Sequence, residues 1–214
     1  MIKGAIFDLD GTILDSMKVW DDLADKYLLS IGINPPDGLK ETFELMSTRQ
    51  SARWIIENLH VKKTEEEIME GFDKQLSFYY KNEVDLKPGF LEFIKKLEDK
   101  KVPCCIVTTN SRINVEYALQ KYNISSDFKF VLTCSEMNTD KTRPDIYIKA
   151  AEMLGLKPSE VIVFEDSYHC IKTAKDNNFR VCSVYDKSNI EHFEASKSIA
   201  DCFTIDYKNL KEVY

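Results

Sequence analysis

Asp8 and Asp10 stand two residues apart in Asp8-Leu9-Asp10-Gly11-Thr12, directly behind the apolar run Ala5-Ile6-Phe7. Side chains two apart on an extended segment point the same way, and Gly11 lets the chain turn sharply, so both carboxylates can face one site. Two such groups repel unless a proton or a cation intervenes. A hard divalent ion, most simply Mg²⁺, resolves that repulsion, because it takes a few carboxylate oxygens and leaves its remaining positions to water or phosphate. Taken alone, the pentapeptide also fits a strand end closed by an Asx turn. Three further polar groups end or follow apolar runs. Thr108, with Thr109 and Asn110 behind it, closes Cys105-Ile106-Val107; Lys141 precedes a helix in Lys141-Thr142-Arg143-Pro144-Asp145; Glu165-Asp166-Ser167 follows Val163-Phe164. Singly, each has an ordinary reading: a β-branched strand residue, a solvated lysine, a polar strand end.

The elements that must position these groups can be read from periodicity. Ala5-Ile6-Phe7, Cys105-Ile106-Val107, Phe130-Val131-Leu132, Val161-Ile162-Val163-Phe164 and Val181-Cys182-Ser183-Val184 are near-continuous apolar runs separated by helical stretches. Such runs indicate strands buried on both faces, hence a doubly wound parallel sheet of the α/β class. Pro144 and Gly155 bracket one connecting helix. In an open sheet of this kind ligands bind at the carboxyl ends of the strands, where Asp8 falls.

The stretch between Phe7 and Cys105 is far longer than one crossover needs, so something is inserted there. Trp20, Leu23, Ala24, Tyr27, Leu28 and Ile31 recur at helical spacing up to Gly32, with the breaker Asn34-Pro35-Pro36-Asp37-Gly38 behind them. Ser51 to Leu59 predicts a second helix, and Thr64 with Glu67 predicts a capping box opening a third through Ile68, Phe72, Leu76 and Tyr79. These signals assign residues 16–85 to an inserted α-helical cap and residues 1–15 plus 86–214 to the α/β core. Trp20 and Trp54 sit on apolar faces and read as core.

Composition bounds the rest. The chain has 214 residues, 43% apolar and 30% charged, as expected of a folded water-soluble protein. Twenty-nine basic against 36 acidic side chains give 29 − 36 = −7, which lacks the basic footprint of a nucleic-acid-binding surface. No apolar run reaches bilayer length and none at the start resembles a signal peptide, which predicts a cytoplasmic protein without a membrane partner. The six cysteines lie mostly in strand-like runs without paired metal spacing and read as buried thiols. His60, His169 and His192 show no ligand spacing and read as surface or local structural residues.

In order and over the whole core, the four polar stretches resemble the motifs of the haloacid dehalogenase superfamily of phosphotransferases, and within it the β-phosphoglucomutase-like and phosphoglycolate phosphatase-like members with a helical cap. Thr142 departs where the family often has proline, and Cys170 where similar proteins have glycine. The resemblance implies Asp8 as nucleophile and Asp10 as general acid and base. Lys141 would supply positive charge, Thr108 a hydroxyl donor, and the amides near Thr109 and Asn110 a phosphate-binding helix start. Asp8, Glu165 and Asp166, with the Asp10 carbonyl, would hold Mg²⁺. Ser47-Thr48-Arg49-Gln50 resembles the cap segment that offers an arginine to a distal substrate phosphate, which makes Arg49 a candidate. A cap after the first motif implies a lid that favours small phosphorylated metabolites, such as sugar phosphates, over macromolecules. True mutases of this type have a small apolar residue where Thr12 stands and a histidine where Trp20 stands, so a phosphatase is expected, with a β-phosphoglucomutase-type mutase as the alternative. A non-catalytic receiver-like module shares paired acids, Thr and Lys on such a sheet but lacks the insertion, and a degenerate pseudoenzyme would not keep every motif residue.

Overall fold

The computed structural model describes residues 2–43, 46, 48–208 and 210. In chain order its regular elements are β1 (Gly4–Phe7), β2 (Leu14–Asp15), α1 (Met17–Ser30), α2 (Leu39–Phe43), α3 (Thr48–Leu59), α4 (Glu65–Asn82), β3 (Asp85–Leu86), α5 (Phe90–Asp99), β4 (Cys104–Thr108), α6 (Arg112–Lys121), β5 (Phe128–Thr133), α7 (Asp145–Met153), β6 (Val161–Glu165), α8 (Tyr168–Asp176), β7 (Arg180–Val184), α9 (Ile190–Ile199) and β8 (Cys202–Thr204). The chain forms two compact units, Met1–Met17 with Val84–Tyr214, and Lys18–Glu83.

The larger unit is an α/β fold around a six-stranded parallel sheet in the order β5-β4-β1-β6-β7-β8. Every residue of β1, β4 and β6 is buried, which is why these segments carry unbroken apolar runs. Successive side chains in β1 serve opposite faces. Ile6 joins Val107, Val163 and Val181 against Ile146, Ala150, Ile171 and Ala174 of α7 and α8. Phe7 faces the other way, stacked on Phe164 at 4.5 Å and edge-on to Phe90 of α5 at 5.6 Å, with Tyr207 against Phe90 and Phe93. The chain steps outward from β1 to β4 and β5, then resumes on the other side with β6, so the direction of winding reverses at β1. That reversal opens a crevice at the carboxyl ends of β1, β4 and β6.

Three short strands carry no readable signal. β8 is a three-residue edge strand with Phe203 exposed, and β2 and β3 have two residues each, too few for any alternation. β2 and β3 pair antiparallel, Leu14 with Leu86 and Asp15 with Asp85, where the chain leaves and rejoins the larger unit. Lys121 Nζ and Tyr122 Oη donate to the Val84 carbonyl at 2.5 and 2.7 Å, and the Lys87 amide donates to the Ile13 carbonyl at 2.8 Å, so the returning strand is fixed to the sheet's surroundings.

The smaller unit is helical. α1 presents Leu23, Ala24, Tyr27 and Leu28, and α4 presents Ile68, Phe72, Leu76 and Tyr80, as the 3.6-residue period requires. Gly71 lets α4 approach the Tyr27 ring, because a Cβ there would lie 2.2 Å from Tyr27 Cε2. Trp20 donates its indole N–H to Tyr80 Oη at 3.2 Å and Trp54 packs edge-on to Phe43 at 5.3 Å, so both tryptophans serve the packing of this unit. The capping box at Thr64 and Glu67 has both arms, 3.2 Å and 2.8 Å. α3 begins at Thr48, three residues before the predicted Ser51, and the short α2 replaces part of the expected loop. All six cysteines are unbridged thiols. No helix among the described residues is long and apolar enough to cross a membrane.

Candidate active site

β1 delivers Asp8 to the crevice, its amide still donating to the Phe164 carbonyl at 3.0 Å. The chain then closes a tight loop in which the Gly11 amide donates to the Leu14 carbonyl at 2.9 Å and Gly11 adopts φ +78°. Glycine is required twice over there. Left-handed backbone disfavours a side chain, and a Cβ would lie 2.4 Å from Asp166 Oδ2. The first motif and the end of β6 thus meet backbone to carboxylate.

Asp8, Lys141, Glu165 and Asp166 are all buried. Lys141 Nζ donates to Asp8 Oδ1 and, at 2.7 Å, to Glu165 Oε1. Glu165 is fixed from four directions: Oε1 also accepts from Tyr147 Oη at 3.3 Å, and Oε2 accepts from the amides of Asp166 and Ser167 at 3.0 and 3.1 Å. Asp166 accepts from Thr12 Oγ1 at 3.3 Å on Oδ1 and from Asn189 Nδ2 at 2.5 Å on Oδ2. One oxygen from each of Asp8, Glu165 and Asp166 can be chosen so that all three lie within 4.8 Å of one another.

Asp10 is not one of the three residues in that oxygen group, although its charge is felt by Asp8. Its carboxylate accepts from Ser16 Oγ at 2.6 Å and from Asn110 Nδ2 at 2.8 Å. Two donors on its two oxygens fix the carboxylate's direction. Asn110, expected to offer its amide to phosphate, has that amide donating to Thr108 Oγ1 at 3.0 Å; the next amide, of Ser111, donates to Asn110 Oδ1 at 2.8 Å. The two amides that precede α6 are therefore satisfied locally, and the Asn110 side chain serves Asp10. Thr108 is buried at the end of β4 and Thr109 is exposed beside it. In the helical unit, Arg49 pairs with Glu65 and Glu66 at 3.3 and 3.2 Å; Ser47 lies outside the described residues.

The electrostatics of the buried cluster follow from burial and count. Burial pushes the Asp8 carboxyl up to about 7, with Lys141 opposing the rise and Glu165 and Asp10 adding to it. Burial likewise drives Asp166 well above the carboxylate range, reinforced by Glu165 and Asp8. For Lys141 burial works to lower the value, but Asp8 and Glu165 outweigh it and hold the ammonium well above its ordinary value. With all groups ionised the cluster carries −3 + 1 = −2, the charge a single divalent cation neutralises. Three carboxylates are also the hard-oxygen donor set that Mg²⁺ takes. Burial raises the thiols of Cys134 and Cys170, which stay protonated beside this site.

Tyr147, Asn189 and Ser16 are absent from the sequence reading. Ser16 sits six residues from Asp10 and Tyr147 six from Lys141, so nearness to a motif was the available signal; Asn189 lies in a connection with no motif at all.

Comparison with known proteins gives a consistent family. The family described as Haloacid dehalogenase-like hydrolase matches residues 5–184. A Drosophila melanogaster protein named "Probable pseudouridine-5'-phosphatase" is 28% identical over 191 residues, covering 86% of this chain and 82% of its own. A Thermotoga maritima protein named "Phosphorylated carbohydrates phosphatase" is 21% identical over 174 residues, 81% of each chain. Among solved structures, CbbY from Rhodobacter sphaeroides in complex with phosphate aligns over 100% of this chain and 98% of its own with a TM-score of 0.80 at 18% identity, a likeness of fold.

Proposed function

The chain belongs to the haloacid dehalogenase-like hydrolases, and on that footing we propose that it is a Mg²⁺-dependent phosphatase of small phosphorylated metabolites, working through a phosphoryl group carried on Asp8. The observation that carries this reading is the buried cluster of Asp8, Glu165 and Asp166 with a single lysine, short of positive charge by two. Asp8, Glu165 and Asp166 would hold Mg²⁺, which when bound supplies Lewis-acid stabilisation of the negative charge on the transferring phosphoryl oxygens. The Asp10 carbonyl joins them by family resemblance.

The protein's own groups divide the reaction as follows. An Asp8 oxygen attacks phosphorus, an O–P bond forms, and the bond to the leaving alkoxide breaks while Asp10 donates its proton to that oxygen. Asp10 then takes a proton from water, which attacks the phosphoryl group on Asp8 and releases inorganic phosphate with the carboxylate restored. Ser16 and Asn110 aim Asp10 for both proton transfers. Lys141, pinned between Asp8 and Glu165, offsets charge that builds on the phosphoryl oxygens. Thr108 acts by shaping the turn that presents Asn110.

Phosphatase is favoured over mutase because Thr12 is engaged with Asp166 and Trp20 with Tyr80, where a mutase of this kind has a small apolar residue and a histidine. The small-metabolite class rests on the helical insertion and on relatives named for a phosphorylated nucleoside and phosphorylated carbohydrates. Arg49, half its side chain exposed, is proposed to meet a second anionic group of the substrate, exchanging its pairs with Glu65 and Glu66 for that contact. The test is a panel of phosphorylated metabolites with Mg²⁺, scored by phosphate release. Asp8→Asn is expected to abolish release; release at the wild-type rate overturns the nucleophile, and isomerised sugar phosphate forming faster than free phosphate overturns the preference for hydrolysis.

A further inference from the structure

The sequence motifs account for Asp166 as a carboxylate directly behind β6 but not for what aims it. Asn189 does so, donating Nδ2 to Asp166 Oδ2 at 2.5 Å from the connection between β7 and α9. A primary amide in an irregular connection is a poor aiming device unless the connection is itself fixed, and here it is. Asp186 accepts from the Ser188 amide at 2.8 Å and from Ser188 Oγ at 2.7 Å on Oδ1, and the Asn189 amide donates to the Asp186 carbonyl at 3.2 Å, which closes a turn over Lys187–Asn189. The other Asp186 oxygen accepts from Lys87 Nζ at 2.5 Å, and the same ammonium donates to the Tyr185 carbonyl at 3.2 Å. Lys87 and Asp186 are 7% and 3% exposed, so their pair is screened little by water and cannot rearrange cheaply. Although burial acts to raise it, the Asp186 carboxyl is held below its ordinary value by Lys87 and Ser188, as an ionised anchor requires.

We propose that Asn189, locked in place by the buried Lys87–Asp186 pair, is a positioning residue that orients Asp166 and thereby sets the affinity of the Asp8–Glu165–Asp166 cluster for a divalent cation. The inference rests on the metal reading proposed above. Outer hydrogen bonds to ligating carboxylates fix their direction, and losing one costs about 10- to 100-fold in metal affinity. Lys87 follows β3, so the anchor also ties this connection to the segment at which the chain rejoins the larger unit.

The experiment is titration of the full-length protein with Mn²⁺, following the unbound ion by electron paramagnetic resonance, with Mg²⁺ as competitor. Asn189→Ala is expected to raise the Mn²⁺ dissociation constant by about 10-fold or more, with an unchanged far-ultraviolet circular dichroism spectrum. Lys87→Met is expected to weaken binding in the same direction while touching no metal ligand. Should Lys87→Met fail to fold, Asn189→Ala, a half-exposed position, decides alone. Asn189→Ala with a lowered melting temperature and wild-type Mn²⁺ affinity would mean a merely structural role and overturns the proposal. Wild-type protein that binds no Mn²⁺ overturns the metal reading itself, an outcome distinct from a variant that binds as well as wild type.

Discussion

Removing the Asp8 charge should change how the metal-free protein responds to pH, in a direction opposite to ordinary acid denaturation. An aspartate whose folded pKa stands at about 7 against 3.8 in the unfolded chain binds its proton more tightly when folded. Between those values the folded state holds more protons than the unfolded state, so stability present at low pH is lost as pH rises towards 7. The gap of about 3 pH units, at roughly 1.4 kcal/mol each, makes that loss about 4 kcal/mol over the whole window and about 2 to 3 kcal/mol between pH 5 and 7. Asp166, also raised by burial, adds in the same direction. Glu136, Glu160 and Asp201 are held low by their partners and act with the opposite sign, but only as pH falls through the ordinary carboxylate range. Lys141, held high, contributes stability that is lost only above the ordinary lysine range. Urea unfolding with a chelator present, repeated between about pH 5 and 8, measures the slope. Wild type should lose stability across that range, Asp8→Asn should lose markedly less, and Mg²⁺ should flatten the wild-type curve by neutralising the cluster. Parallel slopes for wild type and Asp8→Asn would refute the reasoning.

Lys141→Met removes the cluster's cation, and phosphate release should fall by at least about 100-fold in kcat; a change confined to KM would show that Lys141 binds substrate without assisting transfer. Gly11→Ala forces left-handed backbone, worth about 1 to 2 kcal/mol, and drives a methyl into Asp166, so both the urea midpoint and Mn²⁺ affinity should drop; a stable variant with unchanged affinity would mean the loop relaxes freely. Thr64→Ala deletes one arm of the capping box and should cost about 1 kcal/mol in the helical unit, read by hydrogen exchange along α4, with kcat unchanged.

The sheet was legible because strands buried on both faces need near-continuous apolar runs, and β1, β4 and β6 obey that need up to the polar Thr108 and Glu165 that end β4 and β6. The helices of the insertion were legible from the spacing of Leu23, Tyr27 and Leu28, and of Ile68, Phe72 and Leu76. β8 was hidden because an exposed edge strand of three residues makes no such demand. At the site, Asp8 and Glu165–Asp166 could be brought together on paper because each follows an apolar strand and matches a family motif; that their strands pair directly is seen only in the structure. What those side chains then bond to was not readable. Asn110 could have offered an amide or a side chain, and three-dimensional proximity to Asp10 decides for the side chain. Tyr147 reads as one more aromatic on the buried face of α7, and only its hydroxyl's reach to Glu165 gives it a part in holding Lys141. Asn189 lies in a turn whose polar residues look generic until Lys87, a hundred residues earlier to the nearest round figure, is seen to pin it.

The pairing of Leu14 with Leu86 and of Asp15 with Asp85 has a thermodynamic consequence for how this protein can vary. The ends of the insertion are already joined, so the sheet meets everything between them as the loop of one hairpin. Closing a flexible loop grows costlier only logarithmically, by about 0.6 kcal/mol for each doubling in length, and a folded insertion with adjacent ends costs less still. Residues between Lys18 and Glu83 can therefore lengthen, shrink or be exchanged for another module with little debt to the sheet. The ribbon acts as a socket: the sheet and the residues it carries can stay as they are while the segment between the ribbon's two strands changes.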